Sequence, residues 1–238
     1  MEQKTTDIVI VLYGDRKDLE RCIESVEKTC TNYDLHIIDN NEVNRGFTKA
    51  NNEGIKAGTA PYIWLINQDA IVLEGAQQAL IDRFGYHERV GIVGSMQIDY
   101  DNHDLIRHGG TIRAFPAGAH KGGLISMGHC KDPEKQTWVN FASVMLRRQM
   151  VDEIGPLDES MFLVYSDSDY CYWSRQHGWE VWYEPASRVY HKLNASKSVS
   201  EWHKKDMEAF MKKWGITFDQ GSKSFQYSLN FQHFDAFP

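Results

Sequence analysis

Apolar residues first appear as the β-branched run Asp7 to Tyr13 (DIVIVLY), the pattern of a strand covered on both faces in a parallel sheet. Gly14 and Asp15 then open an amphipathic helix in which Leu19, Cys22, Ile23 and Val26 recur at helical spacing. Leu35 to Ile38 (LHII) follows as a second buried strand closed by Asp39-Asn40-Asn41. A second helix is expected from Gly46 to Ala57, with Gly58 as its stop. Pro61 to Ile66 (PYIWLI) predicts a third strand that ends in Asn67-Gln68-Asp69.

A helix over Glu74 to Phe84 and a strand over Val90 to Ile98 continue the alternation. Asp99 to Lys135 is rich in Gly and His without a firm period, so it reads as a long loop or β-ribbon. Trp138 to Leu146 resumes as a strand and Arg147 to Ile154 as a short helix. Two short strands, Trp179 to Tyr183 and Arg188 to Tyr190, flank a turn at Pro185, and a last amphipathic helix spans Val199 to Trp214. Alternating strands and helices imply right-handed crossovers and an α/β fold with a mostly parallel sheet flanked by helices. Ligands of such sheets sit beyond the carboxyl ends of the strands, where Tyr13, Asp39 and Asp69 fall.

Composition narrows the class without naming a chemistry. With 238 residues, 42% hydrophobic and 25% charged, the chain can bury one α/β core, and no repeat or low-complexity tract is visible. Met1 to Asp7 is polar, so no secretion signal is expected. The longest apolar stretches, Ile8 to Tyr13 and Tyr62 to Ile66, fall far short of the roughly 20 residues a bilayer crossing needs. Cys22, Cys30, Cys130 and Cys171 have no metal-type or paired spacing and read as reduced thiols, which predicts a cytoplasmic protein. The net charge is -7, yet from Ala186 onward 8 Lys and Arg face 5 Asp and Glu. That mildly basic tail is a solvated helix face or a surface for an anionic acceptor.

Four carboxylates and one imidazole carry the candidate chemistry. Asp69, at the tip of an apolar strand, suits a hard cation beside phosphates, against the simpler reading of a strand-to-loop cap. Asp39 at the equivalent tip can accept from a nucleobase imide or ribose hydroxyl, or form an Asx-turn. Asp167 and Asp169 lie among aromatics in FLVYSDSDYCY, where burial favours a general base; helix N-capping is the alternative. His191 ends a strand after this cluster, as a metal or diphosphate contact would.

Five segments in this order resemble the family 2 glycosyltransferases of the GT-A fold, particularly their bacterial rhamnosyltransferase-like branch: IVIVLYGDRKDLERCIESV, IIDNNEVNRGFTKANNEGIKAG, YIWLINQDAIV, VNFASVMLRRQMVDEIGPLDESMF and VYSDSDYCYWSRQHGWEVWYEPASRVYHKLNAS. The likeness runs from Asp7 to Ser198 and implies a catalytic domain over 1–198, with a nucleotide-sugar half over 1–98 and an acceptor half over 99–198. Residues 199–238 would form a C-terminal helix and tail.

The resemblance implies that Tyr13 and Asp39 hold the nucleoside and that Asn44, Gly46 and Asn51 line the donor side. Asn67-Gln68-Asp69 resembles the family's Asp-x-Asp motif in its Asn-x-Asp form. Asp69 would then be a ligand of Mn2+ or Mg2+, with Asn67 and Gln68 beside the donor and His191 a further metal contact. Ser166-Asp167-Ser168-Asp169 resembles the Glu-Asp-x-Asp motif, with Asp167 as catalytic base, Asp169 and Trp138 toward the acceptor, and Ser166 replacing the usual Glu. Between Asp39 and Asn44 the family's extra helix and strand are missing, which implies a compact, virus-type version with a sheet one strand smaller.

The expected reaction is inverting sugar transfer from a UDP- or dTDP-linked donor to a hydroxyl. The acceptor would be a surface or lipid-linked saccharide, or a hydroxymethylated base in phage DNA, and the place the cytoplasm or the periphery of the inner membrane. Nucleotidyl transfer at the same metal site is a competing reading, although Asn67 supplies no second acid. A silent sugar-nucleotide-binding or lectin-like domain is the non-enzymatic one.

Overall fold

The computed structural model describes residues 4–113, 119–192, 199–219 and 224–227. The nucleotide half runs β1 (Thr6–Leu12), α1 (Arg16–Thr29), β2 (Tyr33–Asp39), α2 (Gly46–Ala57), β3 (Tyr62–Asn67), β4 (Ala70–Val72), α3 (Ala76–Phe84) and β5 (Val90–Asp99). Next come the ribbon β6 (Leu105–Arg113) and β7 (Ala119–Ser126), the short β8 (Glu134–Lys135), β9 (Ser143–Arg147), α4 (Arg148–Ile154), α5 (Ser166–Gln176) and β10 (Glu180–His191). The chain then forms α6 (Val199–Lys213) and a two-stranded ribbon of β11 (Ile216–Asp219) and β12 (Ser224–Tyr227).

The main sheet has the order β2-β1-β3-β9-β5-β10-β4. β2, β1 and β3 are mutually parallel, and β10 is parallel to β5. β9 is antiparallel to both β3 and β5, so the central strands point one way except for β9. β4 pairs antiparallel with the end of β10, placing Ala70 opposite His191. No strand lies beyond β2 among the described residues, in keeping with the short connection from Asp39 to Asn44.

Strand alternation divides the core between the two faces of the sheet. Ile8, Ile10, Trp64 and Ile66 pack with α1 and α3 through Leu19, Cys22, Val26, Leu80 and Phe84. Val9, Ile63, Leu65 and Ile92 pack on the other face with Ile55, Met150, Tyr170, Phe210 and Trp214, so α6 contributes to the same core. Buried hydroxyls add a polar stitch across the strands: Ser95 Oγ meets Ser143 Oγ and Ser187 Oγ at 2.8 Å each, and Trp64 Nε1 donates to Ser143 Oγ at 3.1 Å. Cys22, Cys30 and Cys171 are buried free thiols, and burial pushes the Cys30 thiol up to about 11.

Three local expectations differ from the structure. The apolar run Trp138 to Leu146 forms a strand only from Ser143; Trp138, Val139, Phe141 and Ala142 are buried yet outside any strand. The segments around Pro185 make one strand with a bulge between Glu184 and Arg188, where Glu184 Oε1 accepts from Ala186 N–H at 3.0 Å. Gly58 does end α2, but in extended backbone (φ -118°) rather than left-handed. Glycine is required there by closeness, because a Cβ would stand 2.1 Å from Cγ of Asp7.

Asp7 explains that crowding. Its carboxylate is buried and accepts from Arg148 Nη2 at 2.8 Å, Ala60 N–H at 2.8 Å and His36 Nε2 at 3.0 Å. It joins β1, β2, α4 and the entry to β3 in one charged node. Removing one member of a buried pair strands the other charge, so Asp7→Ala is expected to lower unfolding stability by about 3–5 kcal/mol. Urea denaturation checks this, and a loss below about 1 kcal/mol would contradict the node's importance.

Candidate active site

At the C-terminal edge of the parallel strands lies a crevice of about 500 Å3. Tyr13, Asn44, Gly46, Asn67 and Gln68, expected on the donor side, and Asp69, expected at a metal, all line it. Its walls are built by paired loops. Gln68 Oε1 accepts from Tyr13 N–H at 2.9 Å while Gln68 Nε2 donates to Tyr13 O at 2.6 Å, so this side chain staples the end of β1 to the loop after β3. Asn41 Oδ1 accepts from Gly14 N–H at 2.8 Å and ties β1 to the loop after β2. Asn44 Oδ1 accepts from Gly46 N–H at 3.0 Å, and Asn40 Oδ1 from Arg45 N–H at 2.8 Å, which fixes the entry to α2.

Other predicted residues lie elsewhere. Asp39 sits at the rim, paired with Arg16 at 3.5 Å, outside the crevice lining. Asn51 is buried on α2 and donates to Phe47 O at 2.9 Å. Trp138 is buried with its ring 5.9 Å from that of His108. Asp169 points into the core, accepting from Lys213 Nζ at 2.7 Å and Trp214 Nε1 at 2.8 Å. Burial lifts its carboxyl above the ordinary range, against the pull of Lys213 and Trp214.

Asp69 and His191 meet. His191 Nε2 lies 3.3 Å from Asp69 Oδ1, and Lys192 N–H donates to Asp69 O at 3.2 Å. The antiparallel β4–β10 pairing brings them together, because it sets His191 opposite Ala70. Bonds of about 2.1 Å at right angles separate adjacent ligands of one hard cation by about 3.0 Å, close to this spacing. Nδ1 of His191 is buried and has no hydrogen-bond partner among the described residues. No cluster of three or more His, Cys, Asp or Glu ligands occurs among the described residues. A cation here would therefore complete its shell with phosphate oxygens and water, as Mg2+ and Mn2+ commonly do.

Charge on the crevice walls points the same way. Among the described residues, Asp15, Asp18 and Asp69 contribute three carboxylates, and Lys192, 3.4 Å from Asp18 Oδ1, is the one lysine or arginine on the lining. An anionic ligand entering a pocket of that sign is repelled unless a cation enters with it. Asp15, Asp18 and Lys192 escaped the sequence reading as site residues, since Asp15 and Asp18 look like first-turn helix acids and Lys192 is an ordinary neighbour of His191.

Asp167 occupies the first turn of α5 and is not part of the described crevice lining. Its Oδ1 accepts from Ser168 N–H at 2.7 Å, and Asn140 Nδ2 reaches its Oδ2 at 3.4 Å. Asn140 Oδ1 accepts from Ala142 N–H at 2.9 Å, and Ala142 O accepts from Asn67 N–H at 2.9 Å, so a chain of hydrogen bonds runs from Asp167 to the loop that carries Asp69. Tyr165, just before α5, is left-handed with φ 67°, a conformation that costs a non-glycine residue about 1–3 kcal/mol. Its ring stacks on Phe210 of α6 at 5.2 Å.

The loop before Tyr165 closes the crevice. Phe162 and Leu163 line it, Phe162 O accepts from Phe47 N–H at 2.7 Å, and a Cβ on Gly46 would stand 2.4 Å from that same oxygen. From behind, the buried Asp206 of α6 accepts from Phe162 N–H at 2.9 Å, Leu163 N–H at 2.7 Å and Val164 N–H at 2.8 Å.

Residues 2–210 match the family model described as "Glycosyltransferase like family 2". The chain belongs to that family. No curated protein sequence matches it. Among solved structures, the glycosyltransferase is similar to "Crystal structure of GalNAc-T7 with UDP, GalNAc and Mn2+", at a TM-score of 0.70 and 15% identity over 92% of this chain. The match covers 49% of GalNAc-T7, so this chain spans about half that protein's length. At that identity the likeness shows the fold, a GT-A architecture. Among the described residues no helix is long and apolar enough to cross a membrane.

Truncating Asp206 leaves three partly buried N–H donors without their acceptor. Asp206→Ala is expected to cost about 3 kcal/mol and to raise amide exchange at Phe162, Leu163 and Val164. Hydrogen-exchange mass spectrometry reads this directly; unchanged protection there would contradict the clamp.

Proposed function

We propose that this protein is an inverting, metal-dependent glycosyltransferase that moves a sugar from a UDP- or dTDP-linked donor onto a hydroxyl acceptor. The observation that carries the reading is the meeting of Asp69 and His191, 3.3 Å apart, beside a crevice whose described lining carries more carboxylates than cations. Mn2+ or Mg2+ held by these two side chains would supply positive charge next to the leaving diphosphate. GalNAc-T7 is described with UDP and Mn2+, which supports that choice of donor and ion. The nucleoside side of the donor lies along Tyr13, Asn44 and Gly46, with Lys192 free to donate to a phosphate oxygen once it swings from Asp18.

Asp167 is the base. Its carboxylate takes the acceptor's hydroxyl proton as that oxygen bonds to the anomeric carbon. The bond from that carbon to the diphosphate oxygen breaks on the opposite face, so configuration inverts and the nucleoside diphosphate departs. The acceptor is a surface or lipid-linked saccharide, in keeping with the rhamnosyltransferase-like motifs, or a hydroxymethylated base of phage DNA. Reduced, buried thiols support a cytoplasmic site of action.

Asp167→Asn is expected to lower kcat/KM by about 10²- to 10⁴-fold with donor binding retained. Asp69→Ala and His191→Ala are expected to weaken Mn2+ binding in calorimetry and to reduce turnover, Asp69→Ala by about as much as Asp167→Asn. A panel of nucleotide sugars, scored by release of nucleoside diphosphate, supplies the assay. Near-parental transfer by both aspartate variants, or release of pyrophosphate from a nucleoside triphosphate instead, would overturn the reading.

A further inference from the structure

Asn140 stands between the two halves of the site and is held from several sides. Its backbone N–H donates to the buried His108 Nε2 on β6 at 3.2 Å. Its side-chain oxygen accepts from Ala142 N–H at 2.9 Å and from Gln97 Nε2 on β5 at 3.0 Å. A carbonyl oxygen has two lone pairs, and both are taken. The backbone donor at Ala142 cannot reverse its role, and Gln97 Nε2 also donates to Asn140 O at 3.4 Å, which fixes the Gln97 amide as well. The amide of Asn140 therefore has one orientation, and Nδ2, a group that only donates, faces Asp167 Oδ2 at 3.4 Å.

We infer that Asn140 is a positioning residue of the transfer reaction: it aims the Asp167 carboxylate and keeps it ionised, and through the Ala142 O to Asn67 N–H bond it sets that base in register with the loop that carries Asp69. The inference rests on Asp167 being the base. A donor on a carboxylate favours its charged form, the form that takes a proton. The long 3.4 Å contact is the kind that tightens when a substrate closes the site. Among the described residues, titratable groups nearby include Cys171, one turn along α5, and His108, reached through the Asn140 backbone; Asp169 faces Lys213 and Trp214. His108 accepts the Asn140 N–H, so it is neutral at Nε2 in this arrangement.

The test is a set of pH profiles on the full chain. Asn140→Asp keeps the shape and the acceptor for Ala142 and Gln97 but sets a second carboxylate against Asp167, and two such groups do not both ionise. We expect kcat at neutral pH to fall about 10-fold or more, the acidic limb of kcat/KM to move to higher pH, and donor KM and Mn2+ affinity to stay near parental values. Gln97→Met, which frees one lone pair of the Asn140 amide, is expected to shift the same limb less, and it serves in place of Asn140→Asp if that variant does not fold. Parental pH profiles in the folded variants, or a loss confined to melting temperature, would overturn the inference. If Asp167→Asn itself retains parental turnover, the base assignment fails instead; if it is inactive while the Asn140 and Gln97 variants keep parental limbs, the positioning role alone fails.

Discussion

β9 runs against both of its neighbours, and that reversal puts its N-terminal end, not its C-terminal end, at the edge where β1 and β3 finish. The turn Asn140 to Ala142 that precedes it therefore arrives beside Asn67, to which Ala142 O is bonded at 2.9 Å. Were β9 parallel to β3, the same residues would lie at the opposite edge. The charged node at Asp7, the buried serine stitch and the two-faced core all hold β3, β9 and β5 in this order. The crevice walls come from the ends of β1 and β3, Asp167 from α5, and the turn before β9 joins them.

Electrostatics sets what such a crevice can hold. Three carboxylates against one ammonium suit a cation better than a free phosphate. An Asp and a His at ligand spacing would, with a bound cation, reconcile an acidic wall with the anionic donor proposed for it. The clamp of Asp206 on the loop after Met161 does the complementary work on the far wall: it satisfies three partly buried N–H groups and gives α6 a hold on the segment that leads to Asp167. The left-handed Tyr165 is the strain that this hold sustains.

Much of this was legible in the sequence where burial is two-sided or helical. The runs at β1 and β3 show no polar interruption because both faces are covered, and α2 begins and ends where its pattern does, at Gly46 and Ala57. Asp69 and His191 each stood out as a polar residue ending an apolar strand. Periodicity is silent about what tertiary contacts decide. Trp138 to Ala142 are as apolar as a strand but bend because Asn140 is bonded to β5 and β6, far away in sequence. Asp169 resembles its neighbour Asp167 by motif, yet two residues of separation, about 200° around the helix, turn it toward Lys213 and Trp214. Gly58 reads as a helix stop, while its real constraint is the nearness of Asp7.

The central claim, a proposal, is that the Asp69–His191 pair holds a divalent ion at the crevice and that Asp167, outside its described lining, meets the bound donor. The most direct measurement is anomalous diffraction at the manganese edge from crystals grown with Mn2+ and UDP. The account predicts one strong peak within bonding distance of an Asp69 carboxylate oxygen and His191 Nε2, with the diphosphate on its open side and the Asp167 carboxylate facing the adjoining space. A peak bound elsewhere, or Asp167 turned away from the diphosphate, would contradict it.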